Sequence, residues 1–510
     1  MTAKYNRVFI VAGAQVLPGP PPGAAFLAGV CESIDIDYEI LDLNIFIYQL
    51  FGEHIWKDLY EYATILKLDQ ENLNEKFNYV TTVIEKAVDV IEKYQPDLIA
   101  VSMLSFQQRQ WCKFLFKEIK KRLKVDIIAG GPGIGNSAGE TFGKELVNND
   151  IIDYYVVGEG DYVFKDFLLN KDKAKYVNSK KSLVLSELFV PQIDNLDVDI
   201  FPSYKRIDFE SYRNIDFSRK FITVTGSRGC VRRCTFCDVG VIWKKFRYRS
   251  GKHIANELVR HYNITKVTDF FFSDSLINGS LKQLTDFMSE LIKLRKEQNL
   301  PKFTYSGQWI IRPKIHHKES FYELLKESGC RYLECGVESG SDRVRDHMGK
   351  KFSNEDIEYH YEMSTKYGIE NLMYIFTGYP TETKEDFQDT LNLISKLQKY
   401  QISEALNHIS GGKLYALLEG TPLWNMKDQL RIQHLDSKNK GDYDFNVNNW
   451  YSLSNPELDI KEKVKRWVLF TKQRLELYYI NNRKDIEFQL TELELNKKIY
   501  KELTKEETTE

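Results

Sequence analysis

Three cysteines fall within one short stretch, Cys230, Cys234 and Cys237, in the spacing C-x3-C-x2-C. Soft thiolates so arranged can wrap one corner of an iron–sulfur cubane. A [4Fe–4S] cluster ordinarily takes four cysteines. No fourth stands nearby, which leaves one iron open to a small-molecule ligand. Phe236, just before the last cysteine, would shield the cluster from water, and Gly226 and Gly229 allow the tight loop. The competing chemistry is zinc, which usually takes four protein ligands from paired Cys or His motifs. The nearest further candidates, His253 and His261, belong to a following helical pattern and show no complementary pairing. Cys330 and Cys335 lack metal-ligand spacing to the triad, and buried cysteines commonly act as small hydrophobes. Cys31 and Cys112 fall on apolar helical faces and read as core.

The triad directly follows an apolar strand pattern, Phe221–Thr225, so it sits on the strand-carboxyl side where barrel enzymes place their chemistry. Further strand patterns at Asp269–Ser273, Lys302–Gln308, Tyr332–Val337, Asn371–Thr377 and His408–Leu417 alternate with helical stretches. Six such units predict a partial (β/α)6 barrel of the TIM type over 220–423, open on one side. Residues 1–170 alternate as well, with strands at Val8–Ala12, Tyr38–Leu43, Asp97–Met103, Asp126–Ala129 and Tyr154–Val157. Helical patterns lie between them at Gly23–Glu32, Phe77–Tyr94, Gln107–Leu123 and Tyr162–Leu169. That alternation predicts a Rossmann-like parallel sheet covered on both faces. Ligands of such sheets bind beyond the strand carboxyl ends, so the informative loops are Gly13–Gly23, Leu104–Gln108, Gly130–Gly135 and Gly158–Asp161. Phe46–Lys76 reads as an inserted helical segment, and 171–219 as a connector with prolines at Pro191 and Pro202. Residues 424–510 read as mainly helical, ending in a charged tail, Lys501–Glu510. The fold class is α/β.

A chain of 510 residues is expected to hold two or three domains. Its 71 basic and 73 acidic residues give a net charge of −2, so no global attraction to nucleic acid or membrane is indicated. The apolar run near the N-terminus is broken by Gly, Gln and Pro and lacks the features of a signal peptide. No stretch approaches the roughly 20 apolar residues of a spanning helix. Seven cysteines, three of them clustered, do not make a secreted disulfide framework. The expectation is a cytoplasmic protein, in a compartment that also favours an oxygen-sensitive cluster.

C-x3-C-x-Phe-C at the end of a first barrel strand resembles the radical S-adenosylmethionine (SAM) superfamily signature, and the likeness extends over some 200 residues. Phe246-Arg-Tyr-Arg-Ser-Gly-Lys-His-Ile-Ala-Asn-Glu257 is similar to the segment that follows the cysteines in cobalamin-linked members. Phe272-Ser-Asp274-Ser-Leu-Ile-Asn278 resembles their second strand and Gly336-Val-Glu338-Ser339-Gly-Ser-Asp-Arg-Val their fourth. Ile375-Phe-Thr-Gly378-Tyr-Pro380-Thr-Glu382-Thr resembles their G-x-P-x-E-T turn, and Glu419-Gly-Thr-Pro422-Leu their closing P-G-T-P-L. The resemblance implies that the open iron binds the SAM amino and carboxylate groups, with Phe236, Glu338, Ser339 and Asp274 as SAM-site residues. One electron then cleaves the sulfonium and yields a 5′-deoxyadenosyl radical. For Glu382, a loop or helix-capping role is the plainer reading.

The first 170 residues lack a G-x-G-x-x-G dinucleotide fingerprint. They resemble instead the cobalamin-binding domain of the same branch, through Pro20-Pro-Pro-Gly-Ala-Ala-Phe-Leu-Ala-Gly29, Asp42-Leu-Asn44, Pro96-Asp-Leu-Ile-Ala-Val-Ser102, Gly130-Gly-Pro132 and Val156-Val-Gly-Glu159-Gly-Asp161. Gly130 and Gly131 would let backbone approach the corrin's nucleotide tail, with Ser102, Ser105 and Glu159 as polar contacts. The D-x-H-x-x-G segment that supplies a cobalt-ligating histidine in related domains is missing. The only histidine here, His54, lies in the inserted segment, so cobalamin is expected without a histidine lower ligand.

The resemblance implies methyl transfer to an unactivated carbon. One SAM methylates cobalamin and a second generates the radical, so that the substrate radical takes its methyl from methylcobalamin. Rearrangement, cyclisation and ring contraction occur in the same branch. A methylthiotransferase would need a second cysteine-rich cluster, and only Cys31 and Cys112 precede Cys230. A redox- or corrin-sensing protein would not need the SAM-site motifs. The implied partners are an electron donor such as flavodoxin or ferredoxin and a small-molecule, peptide or lipid substrate.

Overall fold

The computed structural model describes residues 4–14, 19–52, 75–105, 108–135, 141–170, 175–184, 186–215, 220–400, 407–409, 413–434 and 450–478. Most of the Phe46–Lys76 insertion, with His54, and the tail Lys501–Glu510 lie outside them. The chain forms two compact units, residues 1–224 with 256–270, and residues 225–255 with 271–510.

In the first unit, β1 (Arg7–Ala12), β2 (Asp37–Asp42), β3 (Leu98–Ser102), β4 (Asp126–Gly130) and β5 (Tyr154–Tyr155) form a parallel sheet in the order β2-β1-β3-β4-β5. The runs RVFIVA, LIAVS and DIIAG are continuous apolar strands, as a sheet buried on both faces requires. Successive side chains of one strand point to opposite faces. Val8 and Ile10 accordingly pack with Ala24, Ala28 and Phe164. Phe9 and Val11 pack with Val83, Ile84, Leu115 and Phe116 in a separate core. The covering helices are Pro22–Ser33, Glu75–Tyr94, Arg109–Arg122 and Val163–Leu168.

A helix at Phe142–Asn148 is absent from the sequence-based expectation. It is short and begins with a glycine-bearing turn, and a side chain on Gly143 would lie 2.3 Å from the Tyr155 ring. Close packing demands a residue that weakens the helical signal. Residues 171–219 contribute β8 (Phe189–Val190), which pairs with β6 (Val157–Gly158), and β7 (Asn178–Ser179), which adds to β5 antiparallel. The Ser203 hydroxyl donates to Glu32 at 2.7 Å, and the Tyr212 hydroxyl donates to Asp42.

A second sheet contains β9 (Ile222–Val224), β12 (Asp269–Phe272), β13 (Thr304–Trp309), β14 (Cys330–Glu338), β15 (Glu370–Thr377) and β16 (Asn407–Ile409), in the order β16-β15-β14-β13-β12-β9. β17 (Lys413–Leu414) also pairs with β15, and the β13–β14, β14–β15, β15–β16 and β15–β17 pairings are parallel. Five of the six expected strands are present, and within the sixth, His408–Leu417, the described residues form two short strands, β16 and β17. The faces of this sheet differ. On β14, Leu333, Cys335 and Val337 are buried, whereas Tyr332, Glu334, Gly336 and Glu338 are partly exposed. The helices Leu281–Glu297 and Asn354–Lys366 cover one side: Phe287 contacts Phe272 and Tyr305, and His360 contacts Cys335. The polar-bearing side is the opposite one.

Beyond Thr421 the described residues are mostly helical, as expected, with one unanticipated element. β18 (Ile432–His434) and β19 (Trp450–Ser452) form an antiparallel pair ahead of the helix Ile460–Tyr478. Three-residue strands far apart in sequence are too short for alternation to show. Among the described residues, no helix is long and apolar enough to cross a membrane.

Candidate functional site

The cysteine loop is closed at its base. β10 (Ser227–Arg228) and β11 (Arg247–Tyr248) pair antiparallel on either side of the triad, Ser227 opposite Tyr248 and Arg228 opposite Arg247. Gly229 has φ +84°, and a Cβ there would lie 2.6 Å from the Lys245 carbonyl oxygen, so the turn needs glycine. Asp274 fixes the strand before it: its carboxylate accepts from the Gly226 N–H at 2.7 Å and the Ser227 hydroxyl at 2.6 Å. Burial pushes its pKa up to about 7 against those hydrogen bonds. Both oxygens of Asp274 thus serve the loop in the arrangement seen.

Within the loop, the Thr235 N–H donates to Met348 O at 3.0 Å and Thr235 O accepts from the Leu423 N–H at 2.7 Å. The Tyr379 hydroxyl lies 2.8 Å from both Thr235 Oγ1 and His347 Nδ1. Phe236 meets the Phe376 ring at 5.3 Å and packs on a core containing Met348, Tyr379, Leu423 and Trp450. The three cysteines remain half-buried. Burial raises the thiol pKa of each, Cys237 to about 11, so ligating a metal would require loss of their protons.

These residues suit a cubane. Each thiolate of a cluster takes a different iron, so the triad need not converge on one point as zinc ligands do; among the described residues no three His, Cys, Asp or Glu side chains converge that way. The second unit offers no fourth thiol from its sheet. Cys330 and Cys335 are buried, and Cys335 lies on the helix side of β14 within 3.4 Å of His360 Nε2.

The carboxyl end of β14 carries the strongest backbone signal of function. The register with β15 shifts between Gly336 and Glu338, a bulge, and Glu338 adopts φ +70°. Bulges and positive φ at a non-glycine residue concentrate beside ligand sites. Lys350 holds this turn, donating to Gly336 O at 2.7 Å and Glu338 Oε1 at 3.1 Å. Its ammonium also lies 5.7 Å from the Phe236 ring centre. A Cβ on Gly336 would come within 2.6 Å of Glu338 Oε1 and 3.2 Å of Lys350 Nζ. The glycine therefore clears the space for the pair. Lys350→Met is expected to leave the Glu338 carboxylate with little compensation and to cost about 1–3 kcal/mol, read as lower resistance to urea. Urea curves matching those of the parent would exclude this role. Ser339 turns inward: it is 1% exposed, its hydroxyl accepts from the Ser341 N–H at 3.2 Å, and Thr390 lies 3.4 Å away.

Glu382 is fully buried. Its carboxylate accepts from Arg466 Nη1 at 2.8 Å and from the Gly378 N–H at 3.3 Å, and its pKa rises to about 7, chiefly through burial. The pair joins the G-Y-P-T-E turn to the helix Ile460–Tyr478. One turn earlier on that helix, Lys463 is buried against the Trp450 ring, donates to Trp450 O, and packs 3.0 Å from where a Gly378 Cβ would be. Burial lowers the Lys463 pKa to about 7, partly opposed by Asp459. Between that value and the ordinary lysine pKa, the unfolded chain holds a proton that the folded chain has released, so stability rises with pH across this window. Lys463→Met is expected to remove up to about 1.4 kcal/mol per pH unit of that rise. Denaturant unfolding of both proteins at pH 7.5 and 9.5 checks it; parallel slopes would refute it.

In the first unit, β2-β1-β3-β4-β5 reverses direction between β1 and β3, and such switch points take ligands beyond the strand ends. Ser102 ends β3, facing Gly23, where a Cβ would strike its hydroxyl at 2.0 Å. Gly131 has φ +94°, and its Cβ would lie 2.4 Å from Met103 O, whereas Gly130 meets only ordinary contacts. Ser105 lies in the β3 loop, its carbonyl accepting from the Gln108 N–H at 3.2 Å. Glu159 is buried and accepts from the Ile193 N–H at 2.7 Å.

Sequence reasoning missed the residues that tie these loops together. Gln108 accepts from the Leu104 N–H at 2.5 Å and donates to Gly13 O at 2.9 Å, linking the β1 and β3 ends. Arg109 donates to Gly133 O at 2.8 Å and to Gly135 O after β4. Neither belongs to a chemical motif, so only the folded loops reveal them. The same holds for Lys350 and His347, while Tyr379 fills the unspecified position of the G-x-P-x-E-T turn. The glycines of these loops let the loops pack on one another, Gly23 against Ser102 and Gly131 against Met103.

The radical SAM superfamily pattern matches residues 224–394. The chain thus carries a radical SAM domain, an enzyme domain. An uncharacterized methyltransferase of Pyrococcus horikoshii is 26% identical over 323 residues, 60% of this chain and 66% of that protein, so the match spans just under two-thirds of the relative. Among solved structures, the radical S-adenosylmethionine methyltransferase TsrM of Kitasatospora setae, with tryptophan and a SAM analogue bound, superposes with TM-score 0.62 at 16% identity, covering 92% of this chain and 89% of that one. OxsB, a cobalamin-dependent S-adenosylmethionine radical enzyme solved with aqua-cobalamin and SAM, also gives 0.62 at 15% identity, covering 98% and 72%. The fold is that of cobalamin-dependent radical SAM enzymes.

Proposed function

We propose that this protein is a cobalamin-dependent radical SAM methyltransferase acting on an unactivated substrate carbon. The observation that carries the reading is the ladder-closed C-x3-C-x2-C loop in the unit that also holds the bulged Glu338–Lys350 turn. When bound, the cluster and SAM supply a carbon-centred radical, and the corrin supplies a methyl group. Cys230, Cys234 and Cys237 hold three irons. Phe236, seated on Phe376, keeps water from them. Glu338, fixed by Lys350, would contact the amino-acid end of SAM, with the Ser339 turn shaping that edge and Asp274 holding the loop. In the first unit, Ser102, Ser105, Gly130, Gly131 and Glu159 border the corrin site, braced by Gln108 and Arg109. The second sheet, curved as a partial barrel, would present Glu334, Glu338 and Tyr374 to substrate from its polar side. Methyl transfer is favoured over rearrangement or cyclisation by the Pyrococcus relative's description.

Anaerobic protein supplied with iron, sulfide and cobalamin should show iron–sulfur and corrin absorption together, with a reduced-cluster EPR signal altered by SAM. Reduction should release 5′-deoxyadenosine, and turnover should also give S-adenosylhomocysteine. Protein that takes up no iron would overturn the proposal. Cobalamin uptake without S-adenosylhomocysteine would move the assignment to the non-methylating reactions of the same chemistry.

A further inference from the structure

We infer that the outer face of the cysteine loop is the docking surface for an acidic one-electron donor protein. This rests on the function proposed above, since reductive SAM cleavage consumes an electron that the chain must receive. In a chain of net charge −2, residues 225–252 contain eight Arg and Lys and a single acid, Asp238. Some of these cations are structural: Arg249 is buried and donates to Thr225 O at 2.8 Å and toward His253. Others face solvent. Arg233, Lys244 and Lys245 are exposed, and neither Arg233 nor Lys244 has an ion-pair partner among the described residues. The same segment exposes apolar side chains, Val231 at 41%, Ile242 at 56% and Tyr248 at 48%.

The charge and the apolar surface belong to the segment that bears the half-buried cysteines. Electron transfer weakens steeply with distance, so a donor must touch the protein close to the cluster. Small, weakly bound, charge-steered contacts characterise redox encounters. Nucleic acid is the other occupant a basic surface could take. It would call for stacking platforms, but the exposed apolar groups are mainly aliphatic, with Tyr248 the one aromatic among the three. In the docked pair, one electron leaves the donor's reduced flavin or iron–sulfur centre and lowers the charge of the recipient cluster by one; no bond forms or breaks in that step.

The test compares wild type with Lys244→Glu/Lys245→Glu, both reconstituted, using recombinant flavodoxin hydroquinone as donor and a photogenerated neutral deazaflavin radical as a small reductant. Stopped-flow cluster bleaching is the readout. The variant is expected to be reduced by flavodoxin at least about tenfold more slowly at low ionic strength, with deazaflavin reduction unchanged. The wild-type flavodoxin rate should fall as NaCl rises. Equal flavodoxin rates in both proteins, or a wild-type rate indifferent to salt, would overturn the inference. If both reductants slow in the variant, the wild-type salt dependence decides. If the variant loses affinity for labelled tRNA while its flavodoxin rate holds, the face belongs to nucleic acid and the inference fails. Protein that binds no iron refutes the functional reading and this surface with it, whereas a loaded cluster with charge-insensitive reduction refutes the surface alone.

Discussion

Cys234→Ala protein, reconstituted anaerobically, is expected to lose its stable cluster and to form 5′-deoxyadenosine at least about a thousandfold more slowly than wild type, a barrier increase of about 4 kcal/mol. A three-cysteine site has no spare ligand, and the second unit's remaining thiols are not poised to substitute. Cys330 and Cys335 are buried, and the Cys335 pKa is pushed well above its ordinary value by burial. The comparison is Cys335→Ala, which disturbs only the contacts among β14, His360 and Asn371. That variant should keep its iron and lose about 1–2 kcal/mol of stability. Iron content, EPR and product analysis distinguish the two. Normal iron and product in the Cys234 variant would remove the foundation of the proposed chemistry.

Arg466→Leu should produce the largest loss of stability, about 3–5 kcal/mol. Arg466 and Glu382 are 1% and 2% exposed, so removing the cation leaves an uncompensated buried carboxylate. Arg466 Nη1 also donates to the Glu382 and Thr383 carbonyls, at 3.2 and 3.0 Å. Glu382 titrates near 7 even with its partner. Because its folded pKa exceeds the ordinary glutamate value, its influence favours the fold below about pH 4.5 and is lost as pH rises. Without Arg466 the carboxyl is pushed higher still. The deficit of the variant should therefore be larger at pH 8 than at pH 5. Arg466→Leu/Glu382→Leu should recover part of the loss, since an apolar pair need not be desolvated as charges. Unfolding curves for the three proteins at both pH values test this, and a pH-independent deficit would show that packing alone connects the helix to the turn.

Much of the architecture was legible because it rests on local patterns. The continuous apolar runs of β1, β3 and β4 announce a sheet buried on both faces, and five strands of the second sheet, β9 and β12 to β15, lie where apolar periodicity places them. The departures share a cause, namely signals shorter than the periods being read. The helix Phe142–Asn148 hides behind Gly143, and β18 and β19 are three residues each. Glu382 illustrates a different gap. Its sequence context suggested a loop or capping carboxylate, but Thr383 and Asp386 cap the following helix. Glu382 instead meets Arg466, 84 residues away.

The chemistry proposed for the site was legible in the sequence alone, because three thiols in a tight spacing carry their coordination chemistry wherever they are placed, and a glycine at 229 permits the turn they need. What holds that chemistry in position was decided only by folding. Lys350 reaches Glu338 across a helix and a turn, Gln108 bridges two strand ends, and Tyr379 stands between Thr235 and His347. Such side chains have no distinctive type or spacing. Their roles arise from contacts between residues far apart in the chain, and those distances exist only once the sheets have closed their loops together.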